Sequence, residues 1–121
     1  MRAKFCVRFR LPYPYYLELI EWIRNDPRFS RWCNVKKNKK KSSPIELLVL
    51  GALRYLGRGW TFDDIEEQTA ISQEVHRIFF HRFIDFCSTT LYSQFVLTPV
   101  DLPEAHSNMT EYAVAGFPGC I

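Results

Sequence analysis

Three helix starts in quick succession constrain this chain more than any other feature. Ser43-Pro44-Ile45-Glu46 reads as an N-cap serine, a proline at the first helical position and a glutamate placed to close a capping box. Thr61 can cap a second helix whose first turn carries Asp63 and Asp64, where the helix dipole favours acids. Ser72 can cap a third, after a short turn at Ala70 and Ile71. Residues 44–88 therefore predict a leucine-rich buried helix, a short acidic helix and a long aromatic helix. Leu47, Leu48, Leu50, Gly51, Leu53 and Leu56 make the first apolar over most of its circumference, and Gly57 and Gly59 stop it. Val75, Phe79, Phe83 and Phe86 share one stripe of the third, with Ile78 beside it. Gln73, Glu74, His76 and Arg77 then fall on its outer side, with His81 and Arg82 further along.

The flanks are less regular. Phe5, Val7, Phe9 and Leu11 alternate with Lys4, Cys6, Arg8 and Arg10, which predicts a short strand or extended arm broken by Pro12 and Pro14. From Tyr15 to about Asn25, Tyr16, Leu17, Ile20 and Ile23 recur at helical spacing, so an amphipathic helix ends before Pro27. Phe29 and Trp32 are placed to cover one end of the core. Residues 91–121 hold Pro99, Pro103 and Pro118 and isolated apolar residues at Tyr112, Val114 and Phe117. They read as a linker with short strands that need a partner surface. The expected fold class is mostly α. It is a small helical domain with a helix-turn-helix core (44–90), a basic N-terminal arm (1–43) and an irregular C-terminal tail (91–121) ending in an orphan strand.

The net charge of +3 conceals an asymmetry. Residues 1–43 carry 12 Lys and Arg against 3 Asp and Glu, whereas residues 44–121 carry 4 against 10. Lys36, Lys37, Lys39, Lys40 and Lys41 concentrate the basic charge in a loop suited to phosphate contact, nuclear import or both. Cys6, Cys33, Cys87 and Cys120 form no C-x-x-C pair and match no zinc spacing, which suggests thiols in a reducing compartment. No apolar run is long enough to span a membrane, and the N-terminus lacks the apolar stretch of a secretory signal.

A helix-turn-helix recognises DNA because a helix fits the major groove and presents its first turns to base edges. Gln73 and Arg77 have the chemistry to read adenine and guanine, and His76 or Arg82 to contact phosphate. Asp63, Asp64, Glu66 and Glu67 oppose this wherever they face the same phosphates. Catalytic patterns are weak. The aspartates are explained by a helix first turn, His76 and His81 lack the i,i+4 spacing of a zinc pair, and Gly57-Arg58-Gly59 lacks the Lys-Ser/Thr of a phosphate loop.

Asp26-Pro27-Arg28-Phe29, the stretch Glu46 to Gly57, Trp60-Thr61-Phe62-Asp63-Asp64-Ile65 and the segment Val75 to Phe83 occur in an order that resembles the N-terminal region of Harbinger-type transposases, of the DDE endonuclease superfamily. The resemblance covers roughly residues 13–121 and includes the ending Gly116-Phe117-Pro118-Gly119-Cys120-Ile121. It implies that a ribonuclease-H-like nuclease domain, with two aspartates and a glutamate holding divalent metal, follows such a region. The chain stops near the expected first strand of that domain. Asp101, Glu104 and Glu111 lie upstream of it and take no catalytic role. The resemblance thus implies a transposase-derived, DNA-binding, nuclear protein, not itself an enzyme and needing no cofactor. Its expected partners are DNA and either a second copy or a separate chain carrying the catalytic domain. The alternatives are a protein-interaction module whose apolar tail docks on a partner, and a decayed transposon remnant.

Overall fold

The computed structural model describes residues 2–33, 43–96 and 100–117, which are mostly helical and contain no strand. The chain divides into two compact units, Met1–Cys87 and Ser88–Ile121.

The first unit is built from α1 (Arg2–Phe9), α2 (Tyr13–Asn25), a 3-10 turn (Pro27–Phe29), α3 (Ser30–Cys33), α4 (Ile45–Arg58), α5 (Phe62–Thr69) and α6 (Gln73–Phe86). α4, α5 and α6 pack against one another, and α1 and α2 lie against α4 in the same body. The period-two reading of residues 5–11 is corrected: they form the helix α1 and its end. Phe5 and Phe9 are also four residues apart, so helical spacing puts them on one face, with ring centroids 4.6 Å apart. Phe5 meets Tyr13 and Tyr16 of α2 at 5.2 and 5.1 Å. Those contacts decide between two periods that a short apolar run leaves open. Arg10 closes α1 at φ 58°, donating its N–H to the Cys6 carbonyl at 2.8 Å.

α2 starts two residues before the expected Tyr15. Pro14 lies in its first turn, where the missing N–H leaves no bond unmade. Tyr16 donates to the Glu46 carbonyl at 3.3 Å, and Arg24 pairs with the Glu46 carboxylate. Burial, then the nearby Glu46 charge, push the Tyr16 phenol up to about 12. The capping box expected at Ser43 and Glu46 does not form: Pro44 is the N-cap residue, without a side-chain cap, and Glu46 serves α2 instead. α4 is also less enclosed than its leucines suggest. Ile45, Leu48, Val49, Gly51 and Ala52 are buried, whereas Leu47 and Leu56 are exposed.

Aromatic contacts fix the ends of this bundle. Phe29 packs on Phe79 at 5.4 Å and edge-on to Phe86 at 5.6 Å, and Trp32 stands edge-on to Phe79 at 5.3 Å. These geometries favour the ring quadrupoles as well as burial. The Asp26-Pro27-Arg28-Phe29 turn seats Phe29. Asp26 accepts the Arg28 N–H at 2.9 Å and the Arg28 guanidinium at 2.9 and 3.0 Å. The guanidinium hydrogen bonds hold the Asp26 carboxyl below its usual range. Arg28 also reaches Asp85 of α6 at 3.2 Å. At the opposite side, Tyr55, Phe62 and Phe80 join α4, α5 and α6, with centroids 4.5 to 5.8 Å apart.

The second unit has α7 (Tyr92–Phe95) and α8 (Leu102–Val114), and the short strands expected here are corrected to helix. Asp101 caps α8 by accepting the Glu104 N–H at 2.9 Å, and Glu104 accepts the Val100 N–H at 3.0 Å. Pro103 falls in the first turn and does no damage. Gly116, at φ 95°, ends the helix: its N–H reaches the Ala113 carbonyl at 3.1 Å and that of Phe117 reaches Tyr112 at 2.8 Å. The expected orphan strand lies, beyond Phe117, outside the described residues.

α4 packs tightly against α6 at Gly51. A Cβ there would lie 2.9 Å from His76 Nδ1 and 3.0 Å from Ile65 Cγ2. The Gly51→Ala substitution should therefore destabilise the domain by about 1–3 kcal/mol through overpacking, despite alanine's better helix propensity. Urea denaturation followed by circular dichroism measures this, and an unchanged midpoint would contradict the close packing.

Candidate nucleic-acid interface

α5 and α6 present the groups that a groove-binding helix pair would use. Thr61 caps α5 reciprocally with Asp64: the Asp64 N–H donates to Thr61 Oγ at 3.2 Å and the Thr61 N–H to the Asp64 carboxylate at 2.8 Å. The Thr61 N–H and then the Thr61 hydroxyl, both donating to that carboxylate, hold the Asp64 carboxyl below its ordinary value. Ala70 follows in the left-handed region at φ 56°, its N–H on the Glu66 carbonyl at 2.8 Å. Ser72 is the N-cap of α6, as expected by position, but its side chain makes no cap. The carboxylate of Glu66 accepts the Gln73 N–H at 3.1 Å in its place.

The expected contact residues separate into distinct environments. Gln73 is exposed, with its side-chain amide donating to Asp63 at 2.9 Å. Arg77 is exposed and paired with Glu74 through two bonds of 2.8 and 3.0 Å, which raise its pKa and lower that of Glu74. Arg82 is exposed, donates to the Arg28 carbonyl at 3.1 Å and lies over the Trp32 ring at 5.7 Å, so part of its role is to hold the 3-10 turn. Lys36, Lys37, Lys39, Lys40 and Lys41 lie outside the described residues.

His76 requires correction. It is 2 % exposed, on the inner face of α6 with Phe79, Phe83 and Phe86, and cannot reach phosphate from there. The three-residue step from His76 to Phe79 is helical spacing, and that spacing, not residue polarity, sets its face. Its Nε2 lies 2.7 Å from Thr69 Oγ, and that hydroxyl also donates to the Ile65 carbonyl at 2.8 Å. With the hydroxyl proton on Ile65, the imidazole is the donor to Thr69, which assigns the Nε2–H tautomer. Burial depresses the His76 pKa, and Glu66 opposes this more weakly.

Among the described residues, no group of three or more His, Cys, Asp or Glu side chains converges as a metal site. Cys6, Cys33 and Cys87 are free thiols; burial raises the pKa of Cys33 and takes Cys87 to about 11. Cys120 lies outside the described residues. No helix among the described residues is long and apolar enough to cross a membrane. Comparison with family models, with curated proteins and with solved structures found no match to this chain.

The buried imidazole carries a pH dependence. The unfolded chain takes up a proton near the usual value of 6.5, whereas folded His76 resists protonation to lower pH. Its contribution to stability is thus complete above about pH 6.5 and is lost as pH falls through the depressed folded value. Denaturation midpoints should decline between pH 6.5 and 5 in the wild type. The decline should flatten in His76→Gln, which keeps an amide donor near Thr69 without a titrating group. Parallel pH profiles for the two proteins would refute the assignment.

Proposed function

We propose that residues 1–90 form the DNA-binding module of a Harbinger-type transposase-related protein, with a helix-turn-helix at α5 and α6, acting in the nucleus. The observation that carries this reading is the α5–turn–α6 pair backed by α4. A short capped helix, the turn at Ala70–Ser72 and a longer helix leave Gln73 and Arg77 exposed in the first two turns of α6. The excess of basic residues in 1–43 supports it, because counterion release by Lys and Arg supplies sequence-independent affinity. In this reading the run Lys36–Lys41 contacts phosphates and Arg77 exchanges its exposed partner Glu74 for a guanine edge. No described residue is assigned to catalysis.

A second reading, a protein-interaction module, draws on the second unit. α8 buries none of its residues; Leu102 is 75 % and Val114 87 % exposed. A helix with this much open apolar surface is suited to a protein partner.

Fluorescence anisotropy with labelled duplex DNA across a salt series separates the two. DNA binding predicts steep loss of affinity with salt, and replacing the five lysines by alanine should weaken binding to all sequences alike. Arg77→Ala should erode preference at one base position, by on the order of ten- to hundredfold. Equal loss on every sequence would remove the base-reading role of Arg77. A folded chain that binds no duplex at low salt would refute the DNA-binding reading.

A further inference from the structure

α1 and α4 end beside each other, and both ends are basic. Arg58 of α4 donates to the Val7 carbonyl of α1 at 3.4 Å. The stem of Arg10 lies against the last turn of α4: a Cβ on Gly57 would be 3.2 Å from Arg10 Cγ. Arg54 lies between two rings, 4.7 Å from the Phe9 centroid and 4.4 Å from that of Trp60. Burial and then the charges of Arg58 and Arg8 draw its pKa below the ordinary guanidinium value. Arg8, Arg10, Arg54 and Arg58 are thus gathered at one place, and among the described residues no carboxylate forms an ion pair with any of them.

Helix dipoles account for a basic residue at each C-terminus, but not for bringing the two ends together without an acid between them. The contrast with α6 is direct. There the polar groups are satisfied within the chain: Arg77 by Glu74, the Gln73 amide by Asp63 and the Gln73 N–H by Glu66. A polyanion approaching the folded domain meets neutralised charge at the start of α6 and uncompensated charge at the ends of α1 and α4. Arg54, held against the Phe9 and Trp60 rings, has already lost part of the side-chain freedom that binding would otherwise remove. Beside it lies a mainly apolar cleft of about 160 Å³, lined by Phe9, Leu50, Arg54, Trp60 and Gln68 among others, in which Gln68 adds a side-chain amide.

We propose that this arginine face is the principal phosphate-docking surface of the folded domain for duplex DNA, with Arg8, Arg54 and Arg58 as contacts and Arg10 at its edge. The proposal rests on the DNA-binding reading and assigns the affinity of the folded body to arginines of α1 and α4 rather than to the acidic start of α6.

The test is the salt dependence of duplex binding by the full chain, comparing wild type with R8Q/R58Q and R8K/R58K. Each lost phosphate contact lowers the log–log salt slope by about one, so R8Q/R58Q should bind more weakly on every sequence with the slope reduced by about two. R8K/R58K keeps the charges and should retain most of the slope. Wild-type binding with an unchanged slope in R8Q/R58Q overturns the proposal and leaves the DNA-binding reading standing. Absence of binding by folded wild type at low salt overturns both. Should R8Q/R58Q lose its helical circular dichroism, the arginine Nε–H and Trp60 indole NMR signals of wild type decide on the same duplex. Shifts at Arg8, Arg54, Arg58 and Trp60 support the face, and shifts confined to other residues overturn it.

Discussion

The contact between α4 and α6 at Gly51 governs the first unit. Gly51 brings the two helices together over the His76 ring, and His76 is tied through Thr69 to the last turn of α5. One hydroxyl therefore joins three consecutive elements. It donates to Ile65, meets His76 and accepts the Ile71 N–H at 3.3 Å, so the turn after α5 is fixed from inside. A buried imidazole costs desolvation, and the neutral ring with a satisfied nitrogen keeps that cost small. Rotation of α6 about its axis would remove the hydrogen bond and expose Phe79, Phe83 and Phe86 together, so the polar contact and the aromatic stripe specify the same register.

A second constraint anchors the far end of α6. The Asp26–Arg28 turn is held by bonds to the backbone and the guanidinium alike, and it delivers Phe29 into the aromatic cluster. Arg28 also lies 5.5 Å from the Phe86 centroid, so the charge that organises the turn covers the ring below it. Arg82 closes the arrangement on the Arg28 carbonyl. Residues separated by more than 50 positions thus act as one local unit.

Signals that act within a few residues were legible in the sequence. Thr61 and the acidic first turn of α5 mark the helix start that Thr61 and Asp64 cap, Phe79, Phe83 and Phe86 describe the buried side of α6, and Gly59 at φ 65° ends α4 as expected. Signals that depend on a distant neighbour were not. His76 falls among the polar outer residues in the sequence pattern, whereas the partner that makes it an interior residue, Thr69, lies seven positions away across a turn. Phe5 and Phe9 satisfy both period two and period four, and only Tyr13 and Tyr16 choose between them. Glu46 looked like half of a capping box because Arg24, which holds it, is 22 positions earlier. The same limit hid the arginine face. Arg8 and Arg10 sit on one segment and Arg54 and Arg58 on another, and nothing in either segment announces the other.

The acids around α5 and α6 have two physical roles that conflict. For folding, Asp64 caps α5 and Glu66 occupies the N-terminal amide of α6, where a helix dipole is most favourable to negative charge. For binding a polyanion, that amide is the site a phosphate would seek, and Glu66 already fills it. A carboxylate held at the helix start cannot be displaced without leaving the N-cap position of Ser72 with no side-chain bond to replace it. For the proposed DNA binding, base reading by side chains of α6 and affinity for phosphates are therefore better served by different surfaces. Among the described residues, Arg8, Arg10, Arg54 and Arg58, which form no ion pair, lie on or at the ends of α1 and α4, the helices that do not contribute to that acidic turn. Under the proposed DNA binding, the turn keeps the bonds that form it while the arginines of α1 and α4 attract a phosphate backbone.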